Sequence, residues 1–416
     1  MNTTTADLLQ QMIDIKKNTR EAIAGKGVEI VGGMITYPQA IGAISQMFVG
    51  SEIDFTRAGW LKSNSDETNR LESNYINDAL SYANLLWRLY GDMSTWEKNS
   101  IYTKNPLAYD TNMVIAPGIQ VSDSMERLTS NKGWSDICGL FEGCSSLRYV
   151  PNIDFTPSTK EVYAEHMFEG CGELRVLGEL KTSNVVNMSD MFKDCSSLTS
   201  IPQMDTSNVT AMYQMFFNCT KLTTIPQLDT SNVGNMNSMF YNCSSLTSIP
   251  QMDTSNVVYM YDMFRNCTKL TTIPQLDTSN VKSMTGMFEN CSSLTSIPQL
   301  DTSNVMTMLS MFSGCYNLES LPLLNCESVT DMNYIFSGGT TLSKLKNLGG
   351  FKGLKVSVTA GFLENLPSLT YRSLINVIDN LATVSSGELK FGSQNIHLLT
   401  DEDIEIATNK GWTLLY

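Results

Sequence analysis

The chain has 416 residues, 42% of them hydrophobic and 17% charged, so it can bury a core and is longer than one typical domain. Its 28 lysines and arginines stand against 42 aspartates and glutamates, a formal charge of −14 that argues against nucleic-acid binding through general phosphate attraction. Two histidines, His166 and His397, cannot supply a histidine-rich metal site or a set of histidine-based catalytic relays.

The N-terminal residues have neither the basic start nor the apolar run of a secretory signal, although trimming of a precursor would leave the same sequence. No stretch approaches the roughly 18 apolar residues of a membrane-spanning helix, so no membrane span is expected.

Residues 1–50 predict a helical module for attachment or oligomerisation. Apolar or small residues recur at alternating steps of four and three, which indicates either an amphipathic helix packed on its own chain or a self-associating helix of a homo-oligomer. Gly25 to Val28 end this helix, and Pro38 lies near the start of another. The stripe consists of Leu8, Met12, Ile15, Thr19 and Ala22.

Three segments of this module, Ile15 to Ile23, Gly25 to Val28 and Tyr37-Pro-x-x-Ile41-x-x-Ile44, resemble N-terminal modules of tail and fibre proteins from phages of gut bacteria. The resemblance implies that the module contacts other virion proteins. It also implies assembly in the host cytoplasm, which requires no export signal.

Residues 51–135 predict a helical connector that also caps the following array. Ser63 or Ser65 can cap its main helix, and Gly91 can end it. The tryptophans at 60, 87 and 96 indicate either a hydrophobic core or an aromatic ligand platform. The apolar face of the helix comprises Leu71, Tyr75, Ala79, Ala83, Leu86 and Tyr90.

Residues 136–345 predict a solenoid, because cysteines recur through them at an interval of 24 residues within a repeated phrase. Less regular copies flank the clean ones at Cys144 and at Gly339, where glycine replaces cysteine. Terminal copies of a solenoid are commonly atypical because they cap the stack. The regularly spaced cysteines are Cys171, Cys195, Cys219, Cys243, Cys267, Cys291 and Cys315.

Each repeat predicts one short strand and one short helix or helical turn. Leu198, Ile201 and Met204 suit a strand, and the run from Asp205 to Asn208 offers side-chain oxygens to cap a following helix. The helix is predicted from an apolar spacing of three to four residues. Its buried face would comprise Val209, Met212, Met215 and Phe216.

The repeat Thr-Ser-Asn-Val-x-x-Met-x-x-Met-Phe-x-x-Cys-x-x-Leu resembles the BspA-like class of leucine-rich repeats over residues 138–340. The resemblance implies a binding scaffold of the kind used on bacterial surfaces, in adhesins and in phage proteins. The expected fold class is therefore an α/β repeat, a leucine-rich-repeat solenoid with a helical N-terminal region and an α/β C-terminal cap.

The repeated polar residues favour structural roles over chemistry. The cysteine row is interpreted as buried thiols, since zinc-type CxxC pairs are absent and disulfides would join an arbitrary subset of equivalent positions. A row of aspartates from Asp205 to Asp301 is interpreted as caps, with calcium binding as the alternative. Asparagines from Asn184 to Asn304 are expected to satisfy backbone groups, and His166 and His397 to face solvent or the caps.

The sequence carries none of the motifs of a hydrolase nucleophile, a Walker A loop or a dinucleotide site. We therefore expect no enzymatic activity, no catalytic residues, no cofactor and no metal.

Comparison of the repeats with one another identifies a candidate binding surface. The Thr/Ser/Gln strand side hardly changes between copies, whereas the predicted helical side differs at each one. This variation indicates a recognition surface rich in aromatic residues, or drift on a solvated face, and the uniform side is the rival surface. The candidate binding residues are Tyr213, Phe217, Tyr241, Tyr259, Tyr261, Arg265 and Tyr316.

Residues 346–416 predict a C-terminal cap. Residues 371–381 form an amphipathic helix, and Thr400 with Asp403 predicts a capping box at the start of the last helix. The closing segment from Ala407 through Leu414 resembles C-terminal caps on such arrays in gut bacteria and their phages.

The preferred hypothesis is a non-enzymatic phage virion protein, a tail-fibre or receptor-binding subunit that recognises a host surface glycan or protein. The alternatives are a bacterial surface or secreted adhesin, located on the cell surface, and a phage head-decoration protein.

Overall fold

The computed structural model describes Ala116 and residues 119–120, 138–150, 152–156, 161–337 and 342–416. The attachment module of residues 1–50, the connector helix with its tryptophans, and Gly339 of the flanking copy lie outside the described residues. None of the described helices is long and apolar enough to cross a membrane.

The array is a leucine-rich-repeat solenoid in which each 24-residue unit forms one coil stacked in parallel on the next. Short parallel strands of two or three residues pair across its flanking coils. The pairs are β1 with β3, β3 with β6, β2 with β5, β4 with β7, β8 with β10, and β9 with β11. On the N-terminal side the strands are β1 (Ile119–Gln120), β2 (Tyr149–Val150), β3 (Ile153–Asp154), β4 (Val162–Tyr163), β5 (Val176–Leu177), β6 (Leu180–Lys181) and β7 (Val185–Asn187). On the C-terminal side they are β8 (Ser320–Leu321), β9 (Leu324–Asn325), β10 (Asn347–Leu348) and β11 (Phe351–Lys352).

Between β7 and β8, the coils are joined by a ladder of backbone hydrogen bonds. The amides of Met212, Gln214 and Phe216 donate to the carbonyls of residues 235, 237 and 239 in the next coil, at 3.2, 2.9 and 2.9 Å. Every second amide therefore points along the solenoid axis. The parallel bridges run Asn187, Ala211, Asn235, Tyr259, Ser283, Thr307 and Asp331.

Of the two alternatives predicted for each repeat, a short helix or a helical turn, the helix is wrong: two successive tight turns take its place. Gln214 and Asn218 have φ values of 53° and 59°, in the left-handed region that an α-helix does not use. The amides of Met215 and Phe217 bond three residues back, at 3.3 and 3.0 Å, while the alternate amides leave the coil altogether. Two successive turns place apolar residues at the same spacing as a helix, which explains the misleading pattern.

The predicted strand is found where the repeats are least regular. β2, β5 and β8 occupy the positions equivalent to Ser200 and Ile201. In the central coils that side is held instead by single backbone bonds, such as Thr223 to the carbonyl of Thr199 at 3.1 Å.

The apolar column positions form one continuous core, as predicted. Each clean coil buries the same set, for example Leu198, Val209, Met212 and Phe216, all with 0% exposure. The phenylalanines stack along the axis, with Phe216 and Phe240 at 5.6 Å between ring centroids and 10° between planes. Identical neighbours above and below are what allow this packing to continue from coil to coil.

The polar rows satisfy backbone groups between coils, which confirms the predicted asparagine ladder. Asn208 Nδ2 donates to the carbonyl of Ser183 at 2.7 Å, and the buried Thr206 hydroxyl donates to that of Asp229 at 2.7 Å. The aspartates are caps, but of turns and not of helices. Asp205 Oδ1 accepts from the amide and hydroxyl of Ser207 at 3.1 and 2.7 Å.

The cysteine row is buried, as predicted. The thiol of Cys243 donates to the carbonyl of Phe216 in the preceding coil at 3.0 Å, and its equivalents repeat this contact. Burial raises the pKa of the Cys326 thiol to about 12, and raises that of Cys243 well above its ordinary value.

A small α/β unit covers the C-terminal end of the array. It contains α1 (Tyr371–Asn380), α2 (Ser393–Ile396), α3 (Asp401–Asn409), a 3-10 helix at Leu363–Asn365, and the parallel pair β12 (Gly387–Lys390) and β13 (Trp412–Leu415). Helix α1 packs on β10 and β11, and its Ser373 hydroxyl donates to the carbonyl of Lys346 at 2.9 Å. The Thr400–Asp403 capping box predicted for α3 is present.

Thiol titration tests the buried cysteine row. We expect all ten thiols to react in denaturant, but only Cys138, which is half-buried, to react readily in the folded protein. The other nine are buried, and reaction requires the thiolate that burial disfavours. Recovery of four or five disulfides, or fast reaction of most thiols in the folded state, would contradict this account.

Candidate binding face

One side of the array carries the residues that change from coil to coil. We define the variable face as the five positions equivalent to Thr210, Ala211, Tyr213, Gln214 and Phe217 in the coils between residues 162 and 337. These positions are interspersed with the buried methionine and phenylalanine columns and contribute no apolar residue to the core, although some of their polar side chains, such as those of Ser189, Asp190 and Asn237, are buried. Since they contribute no core column, they can vary without breaking the stack.

The exposed apolar side chains of the array are concentrated on the variable face. Within the described part of residues 138–337, the large hydrophobic side chains that are exposed are those of Tyr259, Tyr261, Met306 and Tyr334, at 48%, 41%, 52% and 49%. All four occupy variable-face positions. Exposed apolar residues that cluster on one side of a protein mark an interaction surface more often than scattered ones do.

Three of the predicted binding residues form a column on this face. Phe217 and Tyr241 stack with ring centroids 4.5 Å apart and planes 8° apart. The guanidinium carbon of Arg265 lies 5.9 Å from the centre of the Tyr241 ring. Arg265 Nη2 then pairs with Glu289 Oε1 at 2.9 Å. These half-buried side chains contact one another in order along the variable face.

The other predicted residues differ in their surroundings. Tyr259 and Tyr261 project from a single coil and are the most exposed of the set. Tyr213, two coils before Tyr261, is half-buried, and burial together with the charges of Asp190 and Glu165 raises the pKa of its hydroxyl. Tyr316 does not lie on the variable face; it follows the cysteine row at a position that is serine or threonine in the central coils.

The Thr/Ser/Gln side uses much of its hydrogen-bonding capacity within the array. Gln227 Nε2 donates to the carbonyls of Leu228 and Gln251 at 3.1 and 2.6 Å. The Thr223 hydroxyl donates to the carbonyl of Thr199 at 3.1 Å. This uniform row braces the coils, and its side-chain donors point along the axis.

Sequence analysis missed a cluster of ionisable groups at the N-terminal end of the variable face. His166, expected to face solvent or a cap, lies half-buried between Glu169 and Asp190, with Lys193 beside both carboxylates. The signal was present in the repeat: a shift of 24 residues places Asp190 next to His166 and Lys193 next to Glu169.

Comparisons with known proteins find relatives of the array. Residues 162–272 and 245–348 match the family model described as a Mycoplasma protein of unknown function, DUF285. No curated protein sequence matches the chain.

Solved structures of leucine-rich-repeat proteins also match. The leucine-rich-repeat protein TpLRR of T. pallidum is 19% identical over 53% of this chain and 81% of its own, with a TM-score of 0.27. An internalin of Listeria monocytogenes is 14% identical over 67% and 76%, with a TM-score of 0.23. A TLR13 complex with ssRNA13 is 13% identical over 74% of this chain and 42% of its own, with a TM-score of 0.28.

Replacing Arg265 tests the column. In the folded protein, burial raises the pKa values of Asp262 and Glu289, and Arg265 opposes this. In an Arg265→Met variant these pKa values should rise further, so the variant should lose about 1 kcal/mol of stability at pH 7. The loss should shrink as pH falls through the raised pKa values, because protonated carboxyl groups no longer need the cation.

Urea denaturation at pH 7 and pH 4 measures this difference. A Lys269→Met variant, which removes an exposed cation from the other side of the array, serves as the control and should match the wild type. A loss for the Arg265 variant that is equal at both pH values would show that packing on Tyr241, and not charge, is what Arg265 contributes.

Proposed function

We propose that the chain is a non-enzymatic binding protein of a phage virion, a tail-fibre or receptor-binding subunit whose variable face recognises a host surface glycan or protein. The observation that carries the proposal is the location of Tyr259, Tyr261, Met306 and Tyr334, the exposed large hydrophobic side chains of the described array, all on that face.

The chemistry of the face suits recognition. A tyrosine contributes a large apolar ring and a hydroxyl at small conformational cost, and tyrosine and arginine are enriched in binding hot spots. Asn235 lies beside Tyr259 in the bridge ladder and offers amide groups at the edge of the aromatic strip. Backbone bonds between coils hold the backbone beneath these side chains in place before a ligand arrives, so the conformational entropy lost on binding is confined to side-chain rotamers.

The virion assignment is supported by the resemblance of residues 15–44 to phage tail and fibre modules. In this proposal that region contacts other virion proteins, and the array is displayed outward. The array also resembles the BspA-like repeats of bacterial adhesins, and the matching family model is described from Mycoplasma, a cellular organism. A bacterial surface adhesin is therefore the second candidate, with the same variable face as its binding surface.

Removing the two most exposed tyrosines tests the face. A Tyr259→Ala, Tyr261→Ala double variant should bind host cells at least about 30-fold more weakly, since a hot-spot tyrosine contributes upwards of about 2 kcal/mol. Its melting temperature should hardly change, because truncation of exposed residues alters stability by less than about 0.5 kcal/mol. Binding of labelled protein to host cells and thermal denaturation give the two readouts.

Tyr416→Ala is the matched control, because that side chain is 68% exposed but belongs to the C-terminal cap. Full binding by the double variant would contradict binding through the variable face and would favour the Thr/Ser/Gln side as the binding surface. No binding by the wild type would favour a head-decoration role. Mass spectrometry of purified virions tests the location separately, and absence of the chain from virions would leave the adhesin as the better assignment.

A further inference from the structure

The ionisable cluster at the N-terminal end of the variable face is built by two adjacent coils. His166 and Glu169 belong to the turns that follow β4, and Asp190 and Lys193 occupy the equivalent turns after β7. The amide of His166 donates to the carbonyl of Ser189 at 3.1 Å, and that of Gly170 donates to the carbonyl of Lys193 at 2.9 Å. The backbone ladder therefore places the four side chains side by side.

Each carboxylate divides its two oxygens between the two basic side chains. Lys193 Nζ lies 2.8 Å from Glu169 Oε1 and 3.4 Å from Asp190 Oδ1. The other oxygens face the imidazole, with Glu169 Oε2 at 2.5 Å and Asp190 Oδ2 at 4.0 Å from His166 Nδ1. One imidazole nitrogen and two carboxylate oxygens thus converge within 4.8 Å of one another.

The cluster carries more negative charge than its lysine offsets. The Asp190 side chain is only 3% exposed and that of Glu169 21%. A third carboxylate, that of the buried Glu165, lies close enough to Asp190 for their charges to interact, and Asn187 Nδ2 donates to it. Three carboxylates and one ammonium leave a net negative charge, which a bound cation would offset.

We propose that this cluster binds a divalent transition metal, with Zn²⁺ as the preferred ion, through His166 Nδ1, Glu169 Oε2 and Asp190 Oδ2. One imidazole and two carboxylates are a donor set that suits zinc, whereas Ca²⁺ requires six to eight oxygens. Zn–N and Zn–O bonds of roughly 2.0–2.2 Å place tetrahedral ligand atoms about 3.4 Å apart. Binding would therefore move Glu169 Oε2 away from His166 Nδ1, from 2.5 Å, and Asp190 Oδ2 towards it, from 4.0 Å. Lys193 holds the outer oxygens and orients both carboxylates, as hydrogen-bonding partners of metal ligands do.

Such an ion would crosslink two coils beside Tyr213. Three protein ligands leave at least one coordination position for water or for a group on a bound molecule. The metal would therefore belong to the variable face, although the site is independent of whether that face binds a host molecule.

Calorimetric titration of the full-length protein with ZnCl₂, after treatment with EDTA, tests the site. Wild type should show a site that is weakened at least about tenfold by His166→Asn and by Glu169→Gln. Asparagine suits position 166 because the backbone there has φ of 57°, a conformation that asparagine tolerates well. Glu169→Gln keeps the shape of the side chain and removes its charge. Circular dichroism checks that both variants are folded.

Two controls separate this site from other zinc ligands. Asp262→Asn alters the Asp262–Arg265–Glu289 cluster, which has carboxylates and a cation but no imidazole, and should leave zinc affinity unchanged. Cys138→Ser removes the half-buried thiol and should also leave it unchanged. The proposal is overturned if wild type binds no zinc, if both cluster variants bind it as tightly as wild type, or if Cys138→Ser alone abolishes binding.

Discussion

Backbone hydrogen bonds between successive coils are the interaction on which the rest of the array depends. Alternate amides in each coil, such as those of Met212, Gln214 and Phe216, donate to carbonyls 23 residues later. Because each bond joins an amide to the residue one short of its equivalent in the next coil, the ladder keeps equivalent positions, such as Ala211 and Asn235, beside each other. The left-handed backbone at Gln214 and Asn218 is what turns the chain so that these amides face the next coil.

Stacking of equivalent positions produces two kinds of column along the solenoid. A column that packs in the core or bonds across coils must match its neighbours, and phenylalanine, cysteine, asparagine and glutamine accordingly repeat with little change. A column that projects outward has no such requirement, and it can carry a different residue at each coil. The variable face consists of such columns, and the bonds between coils hold the backbone beneath it in place.

The same stacking creates contacts between residues that are remote in the sequence. Phe217, Tyr241 and Arg265 occupy one column and interact in order, ending on the carboxylate of Glu289. His166 and Asp190 occupy another column, with Glu169 and Lys193 beside them. The aromatic strip that we propose as a binding surface and the candidate metal site thus arise on a single face from one geometric rule, through differences between copies of one repeat.

The sequence by itself determined the period, the solenoid, the buried columns, the asparagine ladder and the Thr400–Asp403 capping box, because a 24-residue spacing and a cap motif are local properties of the chain. It also placed Tyr213, Tyr259 and Tyr261 on the side that varies.

Only the tertiary structure decided that Val209 to Phe216 form turns and not a helix, since both arrangements bury residues at a spacing of three to four. What distinguishes them is the partner of each amide, which lies in the next coil. His166 and Asp190, like Phe217 and Tyr241, are 24 residues apart, so the period makes them neighbours. Their contact distances and burial were decided by the tertiary structure, because these depend on how the backbone pairs between coils.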